Sequence, residues 1–431
     1  MPSYKMSPDL SSRYRSRIDP YWGHVWSVPG QETGITWHDR KSMQILVDQN
    51  FIRLRSSERR WSVDEAYEKL VSSPRRKLYL QVIASVYMWR TLTQEQIGAI
   101  VGWSGLNATR MDPHSIMVPW STGILQWGHP TDFSKQLRIV RPAYNVPSRF
   151  VESLTYRERL SVFGGQTAVL HGRMARHNVL NAEVSLRVAE HLSHLFPIVL
   201  GEGASFAKIL LPESQQRTPS YSVGDAVWVR QDGLRVIVET GNKADSIIQK
   251  IKRWAPTLSH DARGGRSLYL LFVIPNQYQR VDWVKHAKEK ISAGVFAELG
   301  SAGYDSRYLA SRVGIIEWEE WFPRYHEIND DWFRVLKVWQ LDKNHQWQLT
   351  AVADPYAVEC DVDLSDAEKS IGYAQNLYGV PHFLRESPMD IGEDLLNLAQ
   401  RSVNERLASI KANSGRDNSG RRPQRVNAQG G

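Results

Sequence analysis

The stretch SVGDAVWVRQDGLRVIVETGNKADSIIQKIKRW, Ser222–Trp254, decides how the chain is read. Two apolar runs, DAVWVR and LRVIVET, flank the turn QDG at 231–233, which predicts a β-hairpin. Asp225 opens the first run and Glu239 closes the second. A hairpin reverses direction, so these two carboxylates are expected side by side. A helix is expected over ADSIIQKIKRWAPTL. Ile247, Ile248 and Ile251 turn part of it toward the sheet and bring Lys250 with them.

Working outward, SLYLLFVIP reads as a strand buried on both faces, VDWVKHAKEKISAGVFAEL as a helix and RVGIIEW as another strand. Upstream, HNVLNAEVSLRVAEHLSHLF reads as a helix and FPIVLG as a strand. The order is helix, three strands, helix, strand, helix, strand. It predicts an α/β domain with a mixed sheet over 177–320, its later strands joined by helical crossovers.

Nearer the N-terminus, Ser62 with Glu65 and Thr93 with Gln96 form capping-box pairs. A long helix, a short helix ending at Gly102 and a third helix precede MVPWSTGILQWGH. This is the order of a winged helix-turn-helix over 61–132, whose third helix enters a DNA major groove. Asn107, Thr109 and Arg110 are then the base readers, and Arg75, Arg76 and Lys77 lie near phosphates. A helical packing or dimerisation module is the competing reading. Residues 1–60 are expected as an aromatic arm and 133–176 as a basic connector. A tryptophan-rich, helical C-terminal region is expected over 321–410, available to a protein partner. The disordered basic tail 411–431 carries Arg416, Arg421, Arg422 and Arg425.

A chain of 431 residues, 42% of them hydrophobic, holds two or three domains. Its net charge of +8 favours acidic partners, nucleic acid first. The single cysteine, Cys360, excludes a disulfide framework and a cysteine-rich zinc site and reads as a small hydrophobe. The sixteen tryptophans suit base stacking or core, core being the commoner use. The N-terminal residues lack the apolar core of a signal peptide, and no apolar run approaches the ~20 residues of a spanning helix. A soluble cytoplasmic protein is expected, with no membrane partner.

Metal-assisted phosphodiester cleavage uses hard oxygen ligands for Mg²⁺ and a cation near the attacking water or the transition-state charge. Asp225 and Glu239 meet the first need as metal ligands and Lys250 the second. Glu183, on the preceding helix, is expected as a supporting carboxylate, with Glu190 as its alternative. His191 and His194 share a helix face, but without an H-E-x-x-H pattern they read, like His171 and His177, as surface or packing residues. GEGAS at 201–205 lacks the lysine of a phosphate-binding loop, and GGQTAVLHG does not match the dinucleotide fingerprint.

Through GDAVWV, VIVET and the element order, residues 177–318 resemble the PD-(D/E)xK nuclease superfamily. With the upstream winged helix, RHNVLNAEVSLRVAEHL and the hairpin stretch resemble the replication-relaxation family of actinobacterial and mobile-element proteins. The resemblance implies a role on plasmid, phage or other mobile-element DNA, in replication, transfer or DNA processing. The chain departs from the superfamily where Glu-x-Lys reads Glu239-Thr240-Gly241 and where Gly224 precedes Asp225 in place of proline. Lys243, Lys250 and Lys252 are the available substitutes, Lys250 the best placed. The sequence leaves three readings open: an active Mg²⁺-dependent endonuclease, a DNA-binding factor that keeps only the frame, and an assembly protein anchored by tryptophans.

Overall fold

The computed structural model describes residues 17–23, 27–28, 31–32, 35–42, 45, 61–103, 106, 116–130, 138–143, 147–164, 175–204, 224–241, 244–261, 266–275, 283–342 and 344–393. Its first half is a small sheet around a buried helix. Strand β1 is Ile35–His38. Helix α1, Val63–Ser72, opens at the Ser62–Glu65 capping box. Helix α2, Arg76–Trp89, is buried at every position from Val82 to Trp89, as a helix at the centre of a core must be. Strand β2, Leu92–Thr93, leads into α3, Gln94–Val101, whose first turn is closed by the Thr93–Gln96 capping box. Then come α4, Met117–Ser121, and the strands β3, Leu125–Pro130, and β4, Ile139–Pro142. The sheet order is β1-β3-β4-β2, antiparallel throughout.

Two expectations change here. The stretch 133–176 is more than a connector: it supplies β4, then α5, Ser148–Glu152, and α6, Tyr156–Phe163. IVRP is too short to show alternation, and it becomes a strand because it is paired on both sides. A Thr155–Glu158 capping box starts α6, and Phe163 meets Tyr87 of α2 edge-on at 5.4 Å. The N-terminal arm likewise contributes β1 to the sheet. Asn107, Thr109 and Arg110 lie outside the described residues, as do the tail and residues 394–410 of the expected C-terminal region.

The second half begins with α7, Ala175–Leu192, followed by β5, Ile198–Gly201, β6, Ala226–Val229, and β7, Arg235–Thr240. Helix α8, Ala244–Asp261, crosses over to β8, Leu268–Ile274, and α9, Trp283–Ala293, lies between β8 and β9, Val313–Glu317. Strands β7, β8 and β9 are parallel, and β5-β6-β7 antiparallel. Every residue of β8 is buried, which explains its unbroken apolar run.

The expected boundary near residue 320 does not end this sheet. β10, Lys337–Leu341, and β11, Trp347–Ala351, extend it antiparallel to the full order β11-β10-β9-β8-β7-β6-β5. The region read as helical therefore includes two strands as well as α10, Leu364–Ala374. Trp120, Trp127, Trp228, Trp254, Trp318 and Trp321 are all but fully buried, so these rings are core.

The two halves share one continuous apolar core. β5 runs so close to α2 that a Cβ on Gly201 would meet the Met88 carbonyl at 2.5 Å, and the Gly203 N–H donates to that carbonyl at 2.8 Å. Gln96 of α3 donates to the Val179 carbonyl of α7 at 3.0 Å and to Glu183 at 3.2 Å. Residues 17–23 bind both halves: the Ile18 N–H donates to Glu95 and the Trp22 indole to the Phe322 carbonyl, each at 2.7 Å. No helix among the described residues is long and apolar enough to cross a membrane.

Candidate active site

Asp225 and Glu239 come together as the hairpin requires: Ala226 is paired with Val238, so each acid lies one residue beyond that pair. Lys250, two turns into α8, reaches back between them. Its Nζ lies 3.2 Å from Asp225 Oδ2, forms an ion pair with Glu239 Oε2 and donates to the Thr240 carbonyl at 3.3 Å. Two carboxylates and a backbone carbonyl thus converge on one cation. The Glu239 side chain is 0% exposed, while Asp225 at 17% and Lys250 at 20% open the site to solvent.

The remaining contacts fix the carboxylates. Glu239 Oε1 accepts from Arg253 at 2.8 Å and from the Trp254 indole at 2.9 Å. Asp225 Oδ2 accepts from the Thr240 N–H at 2.9 Å and lies 2.8 Å from His177 Nε2. The Thr240 hydroxyl donates to Asn181 Oδ1 at 2.7 Å. His177 and Asn181 are four residues apart, so one face of α7 closes the site opposite α8. His177 was expected to be a surface or packing residue and Asn181 drew no notice. The i, i+4 spacing of His177 and Asn181 was the available signal, masked by the other polar residues of α7.

Electrostatics separates the two acids. Burial works to raise Asp225, but His177, Lys250 and the Thr240 N–H outweigh it and hold the carboxyl well below its ordinary value. Burial, then the charge of Asp225, pushes Glu239 up to about 6 against the pull of Lys250 and Trp254. Burial lowers Lys250, but the two carboxylates prevail and keep it charged.

The strand end at Gly241 is close-packed. A Cβ at Gly241 would lie 2.8 Å from Ile247 Cδ1, where α8 packs on the strand end. The cation is carried by the helix that occupies that space.

Other expected residues do not join this cluster. Glu183 sits on a different side of α7, in a buried ionic group. Arg17 contacts Glu183 Oε1 at 3.2 Å and Glu190 Oε1 at 2.5 Å, and Arg187 contacts Glu183 at 3.2 Å and Asp19 at 2.6 Å. Glu183 and Glu190 therefore serve the packing of residues 17–23 rather than support Asp225. Arg76 is likewise internal: it pairs with Glu158 at 2.9 Å and donates to the Ser153 carbonyl at 3.0 Å. Arg75, over the Trp103 ring at 5.7 Å, and Lys77 remain exposed. His191 packs edge-on against Phe333, and burial together with Arg334 lowers it to about 4. Lys252 is exposed and Lys243 lies outside the described residues. Burial pushes the Cys360 thiol up to about 11, which removes it as a nucleophile.

Among the described residues no group of three or more His, Cys, Asp or Glu side chains is arranged to hold a metal ion. Asp225 Oδ2, Glu239 Oε2 and the Thr240 carbonyl are nonetheless hard oxygen donors around one point, the donor type that Mg²⁺ takes. Glu239 Oε2 is buried, and among the described residues the Lys250 ammonium is what compensates it. In this structure the point that these donors surround is taken by the Lys250 ammonium. Comparison with known proteins gives no match to a family model, a curated protein or a solved structure.

Proposed function

We propose that the chain is a DNA-associated protein whose α/β half is a PD-(D/E)xK-like nuclease, cleaving phosphodiesters with Mg²⁺. The observation that carries this reading is the convergence of Asp225, Glu239 and the Thr240 carbonyl on Lys250. When bound, Mg²⁺ would neutralise charge on the phosphate and acidify an attacking water. Asp225 and Glu239 would hold it, fixed in place by His177, Trp254 and Arg253. Lys250 would turn from the carboxylates toward the water or the phosphate oxygens, where a fixed cation stabilises developing charge. Arg253, half-exposed beside Glu239, lies where a phosphate would enter.

The first half supports a winged helix-turn-helix reading by its order α2-β2-α3-α4-β3-β4 and the pairing of β2 with β4. A mobile-element setting rests on the sequence resemblance alone. The test is cleavage of supercoiled plasmid and of single-stranded DNA with Mg²⁺, Mn²⁺ or EDTA, wild type beside Glu239→Ala. Cutting that needs both metal and Glu239 supports the nuclease. A second reading, a DNA-binding factor that has lost catalysis, is favoured by the engagement of both Glu239 oxygens by Lys250, Arg253 and Trp254. Gel-shift binding without cutting would establish it.

A further inference from the structure

The large sheet has one edge covered and one bare. β5, at one end, lies against α2. β11, at the other, pairs among the described residues with β10 alone. Two bonds that bracket β11 fix its orientation: the Asp342 N–H donates to the Gln346 carbonyl at 2.9 Å and the Val352 N–H to the Leu336 carbonyl at 3.1 Å. Antiparallel partners alternate, so Gln348 and Thr350 turn their backbone groups to β10. The N–H and carbonyl groups of Trp347 and Leu349, and the Ala351 N–H, point away from the sheet. Proteins blunt such an edge with a charge, a proline or a bulge. Trp347-Gln348-Leu349-Thr350-Ala351 has no charge and no proline, and its register with β10 is unbroken. Leu349 is 43% exposed. It shares a sheet face with its register partner Trp339 and with Trp347, both partly exposed, and Trp332 lies edge-on to Trp339 at 6.1 Å. The tryptophans of the C-terminal region that are not core therefore gather at the bare edge.

We propose that β11 pairs with β11 of a second copy of this chain, antiparallel about a two-fold axis at Leu349, and joins two sheets into one. In this register the strand is complementary to itself. Leu349 meets its own copy. Trp347 of each copy meets Ala351 of the other, a large side chain beside a small one, and Gln348 meets Thr350. The outward N–H and carbonyl groups are then bonded, about six bonds in all. A strand without charge sets no like charges opposite each other, which a two-fold pairing of a charged strand would do. The two Leu349 side chains also link the Trp339 rows of both sheets into one apolar strip. A single short strand is a small interface, so the association is reversible and depends on concentration. The pairing is independent of the nuclease chemistry.

Sedimentation equilibrium of the full chain from about 1 to 100 μM should show monomer passing into dimer. Leu349→Pro removes an N–H that points away from β10, so the internal ladder stays whole while dimer affinity falls by about tenfold or more. Leu349→Lys sets two ammonium groups across the axis and should do the same if the proline variant fails to fold. Cross-linking reads the register. Leu349 and its copy form a hydrogen-bonded pair with Cα atoms about 5.5 Å apart, within disulfide reach, whereas Thr350 and its copy are diagonal at about 7–8 Å, beyond it. Under mild oxidation Leu349→Cys should give a covalent dimer joined at that position, located by mass spectrometry, and Thr350→Cys should not. A chain still monomeric at about 100 μM, or a dimer that survives both Leu349→Pro and Leu349→Lys, would overturn the proposal. Cross-linking of Thr350→Cys in preference to Leu349→Cys would overturn it as well.

Discussion

Replacing Arg17 with methionine tests the ionic group that ties residues 17–23 to α7. Arg17 is 3% exposed and donates four hydrogen bonds, to Glu183 at 3.2 and 3.4 Å and to Glu190 at 2.5 and 2.9 Å. Methionine fills much of the volume and removes the charge. Glu183 keeps its ion pair with Arg187, while Glu190 keeps only the weaker pull of the Arg187 charge. Burial, and secondarily Glu183, already raise Glu190; without Arg17 they drive it to bind a proton at neutral pH. Protonating an ordinary carboxylate at pH 7 costs at most about 3.4 kcal/mol, and removing one member of a buried pair costs about 3–5 kcal/mol in general. A loss of about 3 kcal/mol at pH 7 is expected. The sign follows from a raised folded value: the penalty grows as pH rises above the unfolded value and fades toward it, by up to about 1.4 kcal/mol per unit. Urea unfolding at pH 7 and pH 5 measures both. A penalty under about 1 kcal/mol at pH 7, or one equal at the two pH values, would refute the reasoning.

Lys250→Met should lower metal-dependent cleavage about 100–1000-fold while leaving gel-shift affinity nearly unchanged, and a drop under about tenfold would show that the cation is not catalytic. Because Glu239 is raised to about 6, cleavage should be lost as pH falls through that value, with cation binding drawing the midpoint lower. A rising limb centred above pH 7 would assign it to another group. Gly241→Lys restores the motif but places a Cβ 2.8 Å from Ile247, so it should lower stability by about 1–3 kcal/mol without raising activity; a Tm equal to wild type would refute the steric account.

Sequence pattern was strongest where a local rule has a single outcome. The QDG turn set the hairpin register and with it the pairing of Asp225 with Glu239. Hydroxyl–acid or hydroxyl–amide spacing marked the starts of α1 and α3. The isoleucines of α8 oriented Lys250 correctly, because a helical lysine beside buried neighbours has few directions to take. The pattern was silent where a feature exists only through distant contact. β10 and β11 are five residues each and become strands by pairing, β10 with β9 and β11 with β10. Glu183 looked equivalent to any inward carboxylate until Arg17, 166 positions away, claimed it. Arg76 read as a phosphate ligand because its partner Glu158 lies 82 residues on. His177 was hidden among other polar residues, and Ala175 and Val179, two positions to either side, pack against the sheet on the far side of the helix.

The seam between α2 and β5 also bears on how such a chain is inherited. Gly201 and Gly203 lie against Met88 and Trp89, and the Trp89 indole donates to the Gly379 carbonyl at 2.9 Å, far along the chain. Either half separated from the other would bare these surfaces to water. Recombination that joins a new first half to an old second half must preserve the contacts of Met88, Trp89, Gln96 and residues 17–23 together. The first half therefore changes by substitution within it rather than by exchange of it.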